Sequence, residues 1–273
     1  MKYYLITIFI LLKWSGIQAQ NCNAFKYYGD TLQYEACVIA EEAENHYQFS
    51  GVYHEIYDRA IEKCAYFPTA YHAKSVAYLK SGDFVSWKAL MDKAVELKPA
   101  EYLGYRGWCR YQFCRDYQGA IEDIERLDAL IDTDLGYSSN GDYHLNIAKG
   151  LCYKAIGENS KAIHIMEQQI GATDYSVGIY DYVHLGVLYL ETDNLDKAFE
   201  NLKLQEVENN VAECQYYLAE IYKAKGKVDQ AKMCLVQAKQ LYTKGLRLFD
   251  PYTQVTDNVY LKQIEDALTT LSK

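Results

Sequence analysis

The stretch at residues 184–202, HLGVLYLETDNLDKAFENL, decides the fold. Two short runs rich in apolar residues flank a polar turn at residues 192–194, which predicts two helices folded back on each other. Helices of this length are marginal in isolation. The hairpin therefore has to bury its apolar side against a neighbour, which predicts an array of such hairpins.

The same spacing recurs along the chain. Relative to Gly186, a tyrosine follows at plus three and an alanine at plus twelve. The equivalent positions are Gly150, Tyr153 and Ala162; Ala219, Tyr222 and Ala231; and Ser75, Tyr78 and Trp87. The spacing from Gly150 to Gly186 is 36 residues, and from Gly186 to Ala219 it is 33. Residues 106–127 repeat the turn and the start of the second helix, but their first helix fits only after a one-residue slip near Gly107.

A period near 34 with a small residue, an aromatic residue, a turn and a second-helix alanine resembles the tetratricopeptide repeat family. The resemblance covers residues 31–245, with four recognisable repeats and two weaker ones. It departs from the family pattern at Trp87, where alanine is usual, and at Lys74, where leucine is usual. The resemblance implies an all-α fold, a right-handed superhelical solenoid of helix-turn-helix hairpins with a C-terminal capping helix.

The sequence divides the chain into three parts. Residues 1–19 are predicted to be a secretory signal peptide, because Lys2 precedes a short apolar run and Ala19 is a plausible cleavage residue. Residues 20–245 form about six hairpins, with a long linker near residues 129–143. Residues 246–273 form a C-terminal loop and the capping helix. We therefore expect an exported chain, periplasmic or extracellular, without a membrane span after cleavage.

Two alternatives concern the N-terminus. The apolar run could remain as an uncleaved anchor, although it has about half the roughly 20 residues that a membrane-spanning helix needs. Lipid attachment at Cys22 is the other alternative, but Gln20 and Asn21 stand where such a signal has small residues.

The C-terminal helix has an apolar face formed by Tyr260, Ile264, Leu268 and Leu271. This face predicts a cap on the last repeat. The alternative is that the helix folds into the concave surface as an internal ligand. Earlier in the chain, residues 132–144 are acidic like a calcium loop but lack the glycine and the closing glutamate at the spacing that such a loop requires, so a plain flexible linker is predicted.

Partner binding is predicted on the first helix of each hairpin, on the face turned away from the second helix. The residues on that face are His72, Val76, Leu79, Ile147, Leu151, Lys154, Val183, Val187, Leu190, Tyr216, Glu220 and Lys223. They form an apolar and aromatic stripe that predicts a groove for a protein or peptide. The alternative is that they pack against the neighbouring hairpin.

The charge balance excludes nucleic acid as a partner. The net charge is −9, and removing residues 1–19 takes away two lysines and no acids, which makes it −11. A phosphate-binding surface needs clustered lysine and arginine, and the sequence has no basic stripe.

Catalytic and metal motifs are also absent from the sequence. The six histidines are scattered without ligand spacing, and His54–Asp58, HEIYD, has an aspartate where a zinc-protease helix has its second histidine. No glycine-rich phosphate loop is present. We therefore predict neither an enzyme nor a cofactor or metal site.

The eight cysteines allow a disulfide in an exported chain. Cys37 opens the first hairpin and Cys64 closes it, so these two form a candidate pair. Small buried thiols that fill gaps in the core are the favoured interpretation.

The predicted function is an exported, non-enzymatic binding module that holds a protein or peptide in its groove. A structural scaffold of an envelope-associated assembly, using its convex surface or its ends, is the alternative.

Overall fold

The structure, a computed structural model, describes residues 21–271. This part of the chain contains fourteen α-helices, and its sole β feature is an isolated bridge between Tyr137 and His144. The predicted all-α fold of helix hairpins is confirmed. None of the described helices is long and apolar enough to cross a membrane. The predicted signal peptide lies outside the described residues.

The chain divides into two compact units, Met1–Lys93 and Ala94–Lys273. The helices of the first unit are α1 (Cys22–Tyr27), α2 (Thr31–Glu41), α3 (Gly51–Lys63) and α4 (Pro68–Ser81), and α5 (Phe84–Leu97) begins in it. A 3-10 turn, Glu42–Asn45, follows α2.

The second unit contains four consecutive helix hairpins and one further helix. The hairpins are α6 (Pro99–Cys109) with α7 (Tyr117–Asp128), α8 (Leu145–Ala155) with α9 (Asn159–Ile170), α10 (Asp181–Glu191) with α11 (Leu195–Glu208), and α12 (Ala212–Ala224) with α13 (Val228–Thr243). The last helix is α14 (Leu261–Thr270).

The hairpin turns share one backbone conformation. Seven residues after the small residue of the first helix, the chain adopts a left-handed backbone. The residues in this conformation are Gly82, Gly157, Asp193 and Gly226, with φ of 81°, 82°, 58° and 70°. The next residue then donates its backbone N–H to the carbonyl of the repeat tyrosine, as Asn194 does to Tyr189 at 2.9 Å. The periodic tyrosine thus supplies a carbonyl that closes the turn.

The repeat that begins with α6 contains one extra residue, which explains the slip near Gly107. α6 continues into a π-helical turn, Arg110–Cys114, and the left-handed residue is Arg115, with φ of 54°. The N–H of Asp116 donates to the carbonyl of Arg110, six residues back, whereas the equivalent bond in the other turns spans five. A π-helical turn accommodates such an insertion without ending the helix.

Small residues lie where the two helices of a hairpin cross. A Cβ atom added to Gly186 would lie 2.8 Å from Leu202 Cγ and 3.4 Å from the carbonyl oxygen of Ala198. At Gly150 the corresponding distance to the carbonyl oxygen of Ala162 would be 3.5 Å. Both alanines are fully buried. The small residue of the first helix therefore faces the alanine of the second, as the spacing predicts.

Two of the repeat tyrosines, Tyr153 and Tyr189, also connect one hairpin to the preceding one. The Tyr189 hydroxyl in α10 donates to the carboxylate of Glu167 in α9. Lys197 stacks on the Tyr189 ring, 4.9 Å from its centroid, and its amino group lies 2.8 Å from Glu167. Tyr153 in α8 makes the equivalent bond to Glu125 in α7 at 2.5 Å. The tyrosines thus hydrogen-bond between hairpins in addition to filling space.

A disulfide in the first unit joins Cys22 in α1 to Cys37 in α2, with Cα atoms 5.6 Å apart. The candidate pair of Cys37 with Cys64 is wrong. Cys64 is a free, buried thiol in the same hydrophobic cluster. The repeat pattern begins after α1 and therefore could not indicate that this helix brings Cys22 to Cys37.

Residues 132–144, where the sequence predicts a flexible linker, form a loop with internal hydrogen bonds and two buried rings. The N–H of Ser138 donates to the carbonyl of Tyr143 at 2.7 Å, and His144 Nε2 lies 2.9 Å from the carboxylate of Asp134. Tyr143 and His144 are buried. Burial of these two rings anchors the end of the loop at the start of α8.

The C-terminal helix packs against α13, as the predicted cap requires. Ile264 is fully buried, and Leu268 and Leu271 are partly buried in the cluster around it. Tyr260, which the sequence places on the same face, is instead half exposed at the helix N-cap.

The variant Gly186→Ala tests the close approach of paired helices. The added Cβ would meet Cγ of Leu202, a branch carbon that can move away only if the whole side chain shifts. We expect overpacking to lower the free energy of unfolding by about 1–3 kcal/mol, although alanine has the higher helix propensity. Gly51→Ala is the matched control, because a Cβ there meets nothing within 4 Å. Chemical denaturation of both variants is the measurement, and unchanged stability of Gly186→Ala would contradict the close approach.

Candidate functional site

In the second unit, residues 246–259 run from α13 to α14 across the first helices of the hairpins. We call this stretch the C-terminal segment, and the side chains that hold it the segment-binding face. That face includes Tyr111, Gln112, Lys154, His184, Glu213 and Tyr217. These side chains come from the π-helical turn after α6 and from α8, α10 and α12. Successive hairpins therefore contribute to one continuous contact.

Asp257 makes the charged contacts of the C-terminal segment. Its carboxylate accepts hydrogen bonds from Lys154 Nζ at 2.5 Å and from His184 Nδ1 at 2.8 Å. Its backbone carbonyl accepts a hydrogen bond from the Tyr217 hydroxyl at 3.1 Å. The side chain is 5% exposed. Burial raises the pKa of the Asp257 carboxyl, but the bond from His184 and the charge of Lys154 outweigh burial, so the pKa lies below its usual value.

The two groups that bind Asp257 are themselves fixed by neighbours. His184 is fully buried, and its Nε2 lies 3.0 Å from the hydroxyl of Tyr143. The ring of Tyr143 packs against Trp108, with centroids 5.8 Å apart. Lys154 also lies 3.2 Å from the carboxylate of Glu191. The face thus presents an ammonium group and an imidazole N–H at defined positions.

The two ends of the C-terminal segment meet at one carboxylate. Glu213 in α12 is fully buried and accepts the backbone N–H of Leu248 at 2.9 Å and that of Val259 at 3.3 Å. Burial raises the pKa of the Glu213 carboxyl, although these bonds oppose the shift. Leu248 and Val259 are buried apolar side chains. The base of the segment is therefore fixed both by packing and by hydrogen bonds.

The middle of the segment reaches the turn after α6 through polar contacts. Gln112 Nε2 donates to Thr253 Oγ1 at 2.6 Å, and the hydroxyls of Tyr111 and Thr256 lie 3.0 Å apart. On the outer side of the segment, Phe249 and Tyr252 are 58% and 77% exposed. The segment is thus a loop with an apolar base, a middle part held by polar contacts, and exposed aromatic side chains.

One stretch of the chain matches a known family model. Residues 68–101 match the family model described as tetratricopeptide repeat. Together with the helix hairpins, this confirms the resemblance found in the sequence. The chain has the tetratricopeptide-repeat fold. No curated protein matches this chain in sequence.

Solved structures show the same tetratricopeptide-repeat architecture at low sequence identity. PilW, described as a widely conserved type IV pilus biogenesis factor, has a TM-score of 0.57 at 16% identity, covering 96% of this chain and 99% of its own. Pseudomonas aeruginosa PilF has a TM-score of 0.53 at 14% identity, covering 81% of this chain and 89% of its own. YrrB, described as a TPR protein with an unusual peptide-binding site, has a TM-score of 0.53 at 16% identity, covering 68% of this chain and 92% of its own. At these identities the likeness concerns the fold.

The predicted stripe of the tetratricopeptide repeats lies close to the segment-binding face but is rotated in two helices. In α8 the predicted Lys154 does contact the C-terminal segment. In α10 the contacting residue is His184, next to the predicted Val183, and in α12 it is Tyr217, next to Tyr216. A one-residue shift rotates a helical position by about 100°, which accounts for the difference.

The other residues of the predicted stripe differ in burial. Leu79, Ile147, Leu151, Val183 and Val187 are buried; His72, Val76, Leu190, Tyr216 and Glu220 are half-buried; and Lys223 is exposed. The buried members pack within the units, as the alternative interpretation of the stripe expects. Partner binding through the stripe stays a prediction.

The sequence did not identify Asp257, Glu213 or the role of His184. The sequence contains one indication of these residues: His184 and Glu213 are ionisable residues within the predominantly apolar stretches of α10 and α12. Buried ionisable groups require partners. Their spacing fits no catalytic or metal motif, so no motif indicated them.

Asp257, His184 and Tyr143 form a hydrogen-bonded series with the order of a catalytic triad. The geometry does not favour catalysis, however. The Tyr143 side chain is buried, and burial raises the pKa of its hydroxyl well above its usual value, so it is a poor and inaccessible nucleophile.

Metal ligands converge at one place within residues 21–271, at Cys22, Cys37 and Glu41. The two sulfur atoms form the disulfide of the first unit. That pairing leaves a single carboxylate, which is too few ligands for a transition-metal site.

Replacing Asp257 with asparagine tests the charge interaction. Because the folded pKa lies below the unfolded value of about 3.9, the ionised carboxylate stabilises the fold above that pH, and this contribution is lost as pH falls through the folded pKa. We expect Asp257→Asn to lower the free energy of unfolding by about 2–4 kcal/mol near neutral pH. The difference from the unmodified chain should shrink below about pH 4.

Urea denaturation across this pH range is the measurement. Asp266→Asn serves as the control, because it removes a carboxylate that pairs with Lys262 at the exposed surface. That variant should change stability by less than about 1 kcal/mol. Equal effects of the two substitutions would show that Asp257 is not held by a buried charge interaction.

Proposed function

We propose that this chain is an exported, non-enzymatic tetratricopeptide-repeat module that binds a protein or peptide through the segment-binding face. The observation that carries the proposal is the C-terminal segment itself. This stretch is non-helical from Leu246 to Val259, and side chains from successive hairpins bind both its side chains and its backbone. A face that binds one non-helical peptide has the donors and acceptors to bind another.

The chemistry of the face supports binding over catalysis. Its polar groups contact the segment through hydrogen bonds, and the one triad-like series ends at a buried tyrosine. YrrB, a protein of similar fold, is described as having a peptide-binding site. Peptide binding is therefore compatible with this architecture.

Export is supported by the disulfide between Cys22 and Cys37. Stable disulfides form in oxidising compartments and are rare in the cytosol. The disulfide also occupies the Cys22 sulfur atom, the atom that lipid attachment would need. The N-terminal residues 1–19 have the pattern of a secretory signal. Both features favour a periplasmic or extracellular location.

A scaffold in an envelope-associated assembly is the second candidate. It is favoured by exposed apolar side chains on two second helices, Val207 in α11 and Met233 in α13, which are 80% and 72% exposed. PilW, similar in fold, is described as a pilus biogenesis factor. Such a scaffold would bind through these helices and would not need the segment-binding face.

Affinity capture with two variants separates the two candidates. Lys154→Glu places a second negative charge beside Asp257 and alters the segment-binding face. The double variant Val207→Lys, Met233→Lys alters the exposed apolar residues of the second helices. We expect a partner captured by the unmodified chain to be lost with the first variant and retained with the second, as measured by quantitative mass spectrometry.

The opposite pattern would favour the scaffold and contradict binding at the segment-binding face. Retention of the partner by both variants would exclude both surfaces. Circular dichroism of each variant controls for folding.

Export has its own test in the chain expressed with its natural N-terminus. We expect the exported protein to begin at Gln20 and to yield a disulfide-linked peptide pair containing Cys22 and Cys37 on non-reducing digestion. Mass spectrometry measures both properties. A chain that retains residues 1–19 in the cytosol with both thiols free would contradict export.

A further inference from the structure

The C-terminal segment makes apolar contacts at its base and polar contacts along its middle part. Its buried apolar side chains, Leu248 and Val259, lie at its base near Glu213. Between them, the segment is held through hydrogen bonds and the charged contacts of Asp257. This middle part resembles a bound peptide more than a piece of hydrophobic core, since polar interfaces are typical of exchangeable contacts.

We infer that the segment-binding face recognises a non-helical partner peptide that carries an internal aspartate, and that the C-terminal segment is the built-in competitor for this site. The inference rests on the proposed function, because it presupposes a peptide partner at this face. It adds the chemistry of the partner and the way in which access to the site is controlled.

An acidic side chain is required by the groups that would otherwise be left unpaired. His184 is fully buried, and the side chain of Lys154 is 9% exposed. If Asp257 leaves, the imidazole N–H loses its acceptor, and the ammonium group keeps only the exposed Glu191. A buried donor without a partner is strongly unfavourable. A competing peptide therefore has to supply a carboxylate at the same position.

The aspartate has to lie within a chain. The Tyr217 hydroxyl donates to the backbone carbonyl of Asp257, so the face binds the main chain and the side chain of one residue. A free dicarboxylate would satisfy Lys154 and His184 but would not provide this amide carbonyl. The site thus selects a peptide over a small acid.

Two features make replacement of the segment feasible. Asp257 has a left-handed backbone, with φ of 64°, which is uncommon for a residue other than glycine. Its neighbours Thr256 and Asn258 are half-buried, so release of the middle part removes no fully buried apolar side chain of the segment. Because the segment is tethered, however, it competes at an effective concentration that reaches about the millimolar range. A partner peptide must overcome this advantage.

A labelled synthetic peptide with the sequence of residues 247–259 is the probe, and fluorescence anisotropy measures its binding to the full-length chain. In the variant Asp257→Ala the tethered competitor lacks its carboxylate. We expect the probe to bind this variant at least tenfold more tightly than it binds the unmodified chain. The same peptide carrying Asp257→Asn should bind the variant at least tenfold more weakly than the probe does.

Two further variants show where the probe binds. Adding Lys154→Gln to Asp257→Ala should abolish the gain in affinity, because the ammonium partner of the probe carboxylate is lost. Asp266→Asn removes an exposed carboxylate from α14 and should leave affinity at the level of the unmodified chain. Equal binding of the probe to all variants, or no binding to any, would overturn the inference. Either result leaves the partner-capture test of the proposed function to be decided on its own readout.

Hydrogen–deuterium exchange of the unmodified chain keeps the inference testable if Asp257→Ala fails to fold. A large excess of probe should accelerate amide exchange in residues 252–258, because the segment is displaced, and should leave exchange in α10 unchanged. Unchanged exchange in residues 252–258 with probe bound would show that the probe does not replace the segment.

Discussion

The close approach of the two helices in each hairpin is the constraint on which the structure depends. At Gly186 the backbone of α10 comes so near to α11 that a Cβ atom would overlap Leu202. This approach fixes where Ala198 must lie and how long the intervening turn can be. The left-handed residue and the tyrosine carbonyl that close the turn follow from the same geometry. The period near 34 residues in the sequence therefore results from the same helix crossing in each repeat.

The helix crossings recur regularly, but the side chains at equivalent positions of successive repeats differ. His184 and Tyr217 both lie two residues before the small residue of their repeats, and Ala148 occupies the same place in α8. The alanine is small, whereas the histidine and tyrosine supply the donors that bind Asp257. Adjacent repeats thus place different side chains along a single line. The scaffold sets their spacing, and the individual substitutions set what they bind.

The sequence predicted most of the fold because the fold is made of local, periodic contacts. The one-residue slip near Gly107 marked an inserted residue, which the structure accommodates in a π-helical turn. Long-range, aperiodic contacts were not predicted in the same way. The bond between Cys22 and Cys37 depends on a helix before the first repeat, and the burial of Tyr143 anchors a loop that was expected to be a flexible linker.

The candidate site could be predicted only in part for a related reason. Lys154 was on the predicted face, but His184 and Tyr217 are one residue away from the positions chosen in α10 and α12. Sequence periodicity indicates which residues of a helix share a face, but it leaves an uncertainty of about one residue in the rotation of the helix about its axis. The C-terminal segment has no period at all. The C-terminal helix packs against α13, and the stretch before it, not the helix, lies across the first helices.

The most direct test of how the segment is held is a double-mutant cycle between Asp257 and Lys154. Unfolding free energies of Asp257→Asn, Lys154→Gln and the double variant are compared with that of the unmodified chain. If the two side chains interact as the structure describes, the coupling free energy should be about 1–3 kcal/mol. A coupling near zero would contradict a C-terminal segment held on the segment-binding face by this pair.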